Sequence, residues 1–106
     1  MTYDVGLSAR AERDARAMCD WIAKQSLAGA RRWFDAIDDA IAALAKDPLK
    51  FALAPESDAF PMDLREILFK TRSGNTYRAL FCVEGEKVQV VSIRGPGQPF
   101  LTPEEI

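Results

Sequence analysis

The stretch "TYRALFCVEGEKVQVVSIR", residues 76–94, constrains this chain more than any other. It reads as two β-strands that reverse at Gly85-Glu86, a glycine-containing turn of the kind hairpins need. Strand side chains alternate between faces, so Tyr77, Ala79, Phe81 and Val83 form one apolar side. Arg78, Leu80, Cys82 and Glu84 form the other. In the second strand, Val88, Val90, Ser92 and Arg94 oppose Lys87, Gln89, Val91 and Ile93. A hairpin with so apolar a face must be covered by something else in the chain.

The cover comes from upstream. "TYDVGLS" alternates as a half-buried strand, and Ser8 then suits a helix N-cap. Ala11, Ala15, Met18, Cys19 and Ile22 make one apolar stripe through about residue 25. Ser26 caps a second helix, with Ala30, Trp33, Phe34, Ile37, Ile41 and Leu44 along one side. It ends near Lys46, because Pro48 follows Asp47. The short connection between the helices forces an αα-hairpin.

Residues 47–63 hold Pro48, Pro55 and Pro61 without periodicity and read as an ordered loop. A third short strand, "LREILFKT", precedes the hairpin. The expected fold is α+β: an N-terminal strand, an αα-hairpin, then a three-stranded antiparallel meander joining one sheet, with one face on the helices. The chain reads as a single domain over 1–106, with 95–106 an irregular tail. In that tail, "TPEE" has Thr102 at an N-cap and Glu105 at the capping-box position. It is either a lone turn or part of a longer helix.

Composition removes several chemistries. Among 106 residues there is no histidine, which excludes Ser-His-Asp and Cys-His catalysis and imidazole zinc sites. Cys19 and Cys82 show no metal spacing and read as reduced, buried thiols, so no cofactor and no metal are expected. No apolar run approaches the ~18–20 residues that span a bilayer, and "MTYDVGLSARAERD", with no apolar stretch after a basic start, is not expected to act as a signal peptide. A cytoplasmic protein without membrane contact is expected.

The net charge is −2, yet residues 64–94 carry a local balance of +3 against −5 elsewhere. Arg78 and Arg94 stand out in this window, because an unpaired buried guanidinium is costly. They face solvent, a carboxylate or an anionic target. With Lys70 and Arg72 nearby and Leu80 between, an open cationic and apolar groove is expected on the sheet face away from the helices. It suits either a nucleic-acid backbone or an acidic, amphipathic peptide. The sheet's edge strand is a second invitation to a partner. Trp21 and Trp33 are candidate binding residues, with core packing as the other reading.

Several blocks together resemble the RelE/ParE superfamily of bacterial type II toxins: "YDVGLSARAERD", "WI" at 21–22, "AIDDAIAALAKDP", "LREILFKTRSGNTYR" and "VVSIRGPGQ". The resemblance spans nearly the whole chain. It implies a hetero-oligomer with an antitoxin whose flexible C-terminal segment neutralises the toxin. RelE-like members cut messenger RNA on the ribosome, whereas ParE-like members inhibit DNA gyrase and serve plasmid stabilisation. In RelE-like nucleases two lysines alternate before the turn, an arginine follows the tyrosine, and a basic, aromatic segment completes the site. Lys70 and Arg78 match, Leu68 replaces the other lysine, and "GPGQPFL" supplies neither arginine nor tyrosine. In the ParE-like pattern Arg94 matches, while Gly95 stands for a histidine and Gln98 for a later arginine. The acidic charge disfavours a ribosome-bound nuclease. The resemblance thus points to a ParE-like gyrase inhibitor, with a RelE-like endoribonuclease acting through Lys70 and Arg78, or a non-toxic partner-binding relative, as alternatives. In the ParE-like case the protein is not an enzyme.

Overall fold

In the computed structural model, residues 2–71 and 74–106 are described. Strand β1 (Asp4–Leu7) leads into helices α1 (Ala9–Ala23) and α2 (Leu27–Lys46), and strands β2 (Arg65–Lys70), β3 (Thr76–Glu84) and β4 (Lys87–Arg94) follow. The helix starts follow from their caps. The Ser8 hydroxyl accepts the Ala11 N–H, and the Ser26 hydroxyl accepts the Gly29 N–H, each cap contributing about 1 kcal/mol. Asp47 leaves helical geometry just ahead of Pro48, which ends α2.

The sheet order is β1-β4-β3-β2. The meander β2-β3-β4 is antiparallel as expected, but β1 lies parallel to β4, pairing Asp4 with Lys87 and Leu7 with Val90. The sheet is therefore mixed. Parallel neighbours need a long connection between them, and here the helices and the meander supply it.

β1 covers only the first half of β4. Beyond Val90 the start of α1 takes over as the strand's partner. The Ser8 hydroxyl donates to the Val91 carbonyl at 3.2 Å, and Asp14 Oδ2 accepts the Ile93 N–H at 3.1 Å and the Ser92 hydroxyl at 2.8 Å. Two helix side chains thus satisfy backbone groups that a fifth strand would otherwise take.

The helical layer packs on one sheet face. Trp33, Ile37 and Leu44 of α2 meet Ile67, Phe69, Ala79, Phe81, Val88, Val90 and Ile93. Trp33 is edge-on to Tyr77, with centroids 5.6 Å apart, and tilted on Phe69. The opposite face, expected to be open, is not. Ala54, Phe60 and Leu64 from the loop, with Leu101 from the closing segment, cover Leu80 and Val91 in a second small core.

A β-bulge reconciles β4 with both cores. Phe81 pairs with Val90 and Leu80 with Ser92, leaving Val91 as the extra residue. The alternation read from sequence therefore slips by one. Ile93 joins Val88 and Val90 under the helices, while Val91 enters the second core. The slip also sets Arg94 directly across from Arg78.

Asp14→Ala strands the Ile93 amide and Ser92 hydroxyl, and should lower unfolding free energy by about 2–3 kcal/mol. Asp14→Asn keeps an acceptor and should cost clearly less. Urea denaturation of both variants checks this, and equal losses would disprove the edge-closing role.

Candidate functional site

Arg78 is the third residue of β3, with Leu68 of β2 and Arg94 of β4 as its cross-strand neighbours. Two like charges opposite one another repel unless each is neutralised. For Arg78 the neutralisation is double. Nη2 meets Glu56 Oε2 at 2.7 Å, and Nη1 meets Glu56 Oε1 and Glu66 Oε1, both at 2.9 Å. The contact with Glu56 is a two-pronged fork, the strongest geometry available to a guanidinium and a carboxylate.

Glu56 comes from a 3-10 turn, Pro55–Ala59, within the proline-rich loop. The Ser57 hydroxyl accepts the Leu64 N–H and closes that loop on itself. The Glu56 side chain is 1% exposed, and Oε2 accepts a further bond from the Leu101 N–H at 3.1 Å. Burial works to raise the Glu56 carboxyl, but the Arg78 fork and the Leu101 amide outweigh it and hold it below the usual carboxylate range. The same fork, against burial, raises Arg78 above its ordinary value. The Phe100 ring lies 5.8 Å from the guanidinium carbon as a cation–π lid.

Arg94 is buried and bonds through Nη2 to Glu105 Oε2 at 2.9 Å. Glu105 also receives Arg10 of α1 at 3.0 Å, and its other oxygen closes a capping box with Thr102. The Thr102 amide and then Arg94 hold the Glu105 carboxyl below its usual range. "TPEE" is thus a single 3-10 turn over Pro103–Glu105.

The cationic groove expected from sequence is therefore corrected. The excess positive charge of residues 64–94 is answered by Glu56 and Glu105, both outside that window. Leu80 is fully buried in the second core, and Trp33 is buried in the main one, so neither lies on a surface. Trp21 is 61% exposed and borders a groove with Met18, Tyr77 and Gln98. Lys70 lies at the exposed end of β2. Arg72 lies outside the described residues.

Sequence reasoning missed the free apolar surface of the helices. Leu7, Ala15, Cys19, Ile37 and Ile41 floor a groove of about 380 Å³ between α1 and α2, walled by Phe34, Glu12, Arg16 and Asp38. Phe34 is 58% exposed although it belongs to the apolar stripe of α2. The width of that stripe was the available signal. Trp33 and Phe34 are adjacent, about 100° apart round the helix, so both cannot face the sheet squarely. Both cysteines are free, and burial, with Glu84 second, raises the Cys82 thiol. Among the described residues no group of three acidic, cysteine or histidine side chains is placed to hold a metal ion, and no helix is long and apolar enough to cross a membrane.

A helical hairpin on a four-stranded sheet has a counterpart among solved structures. The solved chromosomal ParDE TA system from P. aeruginosa matches it with a TM-score of 0.66 and 18% identity, over 88% of this chain and 95% of that one. At that identity the likeness is one of fold. The family model for the ParE toxin of the type II toxin–antitoxin system, parDE, matches residues 5–98, and the chain belongs to that family. No curated protein matches it.

Carboxylates depressed in the folded state stabilise it above their ordinary range, and that stability is lost as pH falls through the lowered values. Thermal stability should therefore drop steadily from about pH 5 toward about pH 3, and Glu56→Gln should flatten the slope. At neutral pH, Glu56→Ala should cost about 3 kcal/mol, because Arg78 loses its fork and the Leu101 amide its acceptor. Calorimetry across pH tests both, and an unchanged slope in Glu56→Gln would show the pair to be inconsequential.

Proposed function

We propose that this protein is a toxin that inhibits DNA gyrase in the cytoplasm without cleaving RNA, and that a cognate antitoxin neutralises it. Membership of the ParE family supports the toxin role. The observation that carries the choice of target is the state of Arg78. A RelE-like nuclease needs that arginine to meet a phosphate, and here Glu56 and Glu66 already occupy its guanidinium. A phosphate brought to this corner meets two carboxylates at contact distance from the only matched arginine. Leu68 in place of a lysine, and the lack of any histidine, leave Lys70 without the partners that proton transfer at a 2′-hydroxyl requires.

One antitoxin contact falls on the helical face in this reading. Trp21, Leu27 and Phe34 are exposed there, beside the cations Arg16, Lys24, Arg31 and Arg32. An amphipathic segment complements that surface, its apolar side chains entering the groove between α1 and α2. Its acidic residues lie toward Arg16, Lys24, Arg31 and Arg32, away from the groove's own Glu12 and Asp38. Aromatic anchors in such grooves dominate affinity.

Production of the protein alone should stop DNA synthesis before translation, and the purified protein should inhibit supercoiling by purified gyrase without ribosomes. Lys70→Ala should retain that inhibition, and Phe34→Ala should weaken antitoxin binding about tenfold or more. Prompt loss of translation with cleaved messages, abolished by Lys70→Ala, would establish the nuclease reading. Undisturbed growth would leave a partner-binding relative.

A further inference from the structure

The segment after Gln98, "PFLTPEEI", lies beyond the region matched by the family model. Its chemistry is that of an acidic, amphipathic peptide, with Phe100 and Leu101 followed by Glu104 and Glu105. Its contacts use each of these features except Glu104. Leu101 is buried among Ala54, Phe60, Leu64, Leu80 and Val91. Its N–H bonds to Glu56, Phe100 lies over Arg78, and Glu105 pairs with Arg94 and Arg10.

We propose that residues 99–106 are an internal occupant of a peptide-binding face, a strap that an acidic amphipathic segment of the antitoxin displaces. The strap has no strand pairing to the sheet. One apolar plug, one amide bond to Glu56, two ion pairs, the Phe100 ring on Arg78 and a second bond from Arg10, to the Glu105 carbonyl, hold it. Among the described residues its remaining hydrogen bonds are internal, between Thr102 and Glu105 and from Ile106 to Pro103. Gly95-Pro96-Gly97 joins it to β4, with Gly97 at φ +80°, a conformation that glycine adopts without strain. Lifting it would uncover part of Leu80 and Val91, still flanked by Ala54, Phe60 and Leu64, beside Arg94. Arg94 would lose Glu105, while Arg78 would keep Glu56 and Glu66. A tethered occupant acts at roughly millimolar effective concentration, so only a segment binding with useful affinity, or already anchored elsewhere on the toxin, would replace it. Displacement by the antitoxin rests on the toxin–antitoxin reading above, whereas occupancy by the chain's own segment does not.

The probe is a fluorescent synthetic peptide of residues 99–106, added in trans. It should bind the full-length Leu101→Ser/Glu105→Gln variant about tenfold or more tightly than the unaltered chain, and adding Arg94→Gln should remove the gain. Equal binding to the unaltered chain and the double variant, or none to a variant that remains folded by near-ultraviolet circular dichroism, would overturn the proposal. Hydrogen exchange on the unaltered chain decides independently of any variant. The Leu101 amide should exchange at least about 100-fold faster than the Ile93 amide, reporting an opening short of global unfolding. Exchange of both at one rate would make the segment an integral part of the fold and the proposal false. Neither readout uses growth or gyrase, so a failure here is distinct from a failure of the toxin reading.

Discussion

The fork between Arg78 and Glu56 organises more of this molecule than its two residues suggest. A guanidinium on a central strand has to be neutralised before apolar groups can close around it, and a carboxylate has to be carried there from elsewhere. Glu56 arrives on the proline-rich loop, so the loop is drawn across the sheet and Ala54, Phe60 and Leu64 come with it. Once in place, the Glu56 carboxylate offers an oxygen to the Leu101 amide, and the closing segment lies down over the same face. The pair is a weak source of net stability, since each ion surrenders its hydration. Its larger effect is to select one arrangement of loop and closing segment over others that would leave Arg78 unpaired.

That selection bears on what the fold can do. One scaffold hosts unrelated chemistries, and the side chains at one corner of the sheet separate them. In this chain the corner holds Leu68, a doubly bound Arg78 and the ring of Phe100. The positive charge is spent inside the molecule. What remains exposed and apolar lies on the other side, along the helical hairpin at Trp21, Leu27 and Phe34. With the closing segment in place the arginines are paired within the fold, and the exposed apolar surface is elsewhere.

Local patterns carried most of the fold. The serine caps, the stop at Pro48, the three meander strands and the Gly85 turn all depend on residues within a few positions of one another, which is why they are legible. The parallel seat of β1 depends on pairing across some eighty residues, and no local signal encodes it. The slip at Val91 is a different failure. "VQVVSIR" holds adjacent apolar residues, which fit an unbroken strand as well as a bulged one, and only the need to fill two cores at once decides between them. The ion pairs were hidden for a third reason. A charge count over a window sees Arg78 and Arg94 but not the carboxylates that the chain returns from positions 56 and 105.

The closing of β4's edge explains how a strap could leave without the sheet coming apart. Ser8 and Asp14, both fixed by α1, satisfy the backbone at Val91 and Ile93, so the strand keeps its partners whatever the closing segment does. Arg10 stands between the two systems, 3.0 Å from Glu105 and 3.7 Å from Asp14. If Glu105 departs, Arg10 retains a carboxylate on its own helix, one turn away, and is not left bare. Arg94 has no such reserve: it is buried, and Glu105 is the carboxylate it pairs with among the described residues. Release therefore concentrates its cost on one guanidinium at the rim of the uncovered face. That unmet charge is what an incoming acidic segment would bind first.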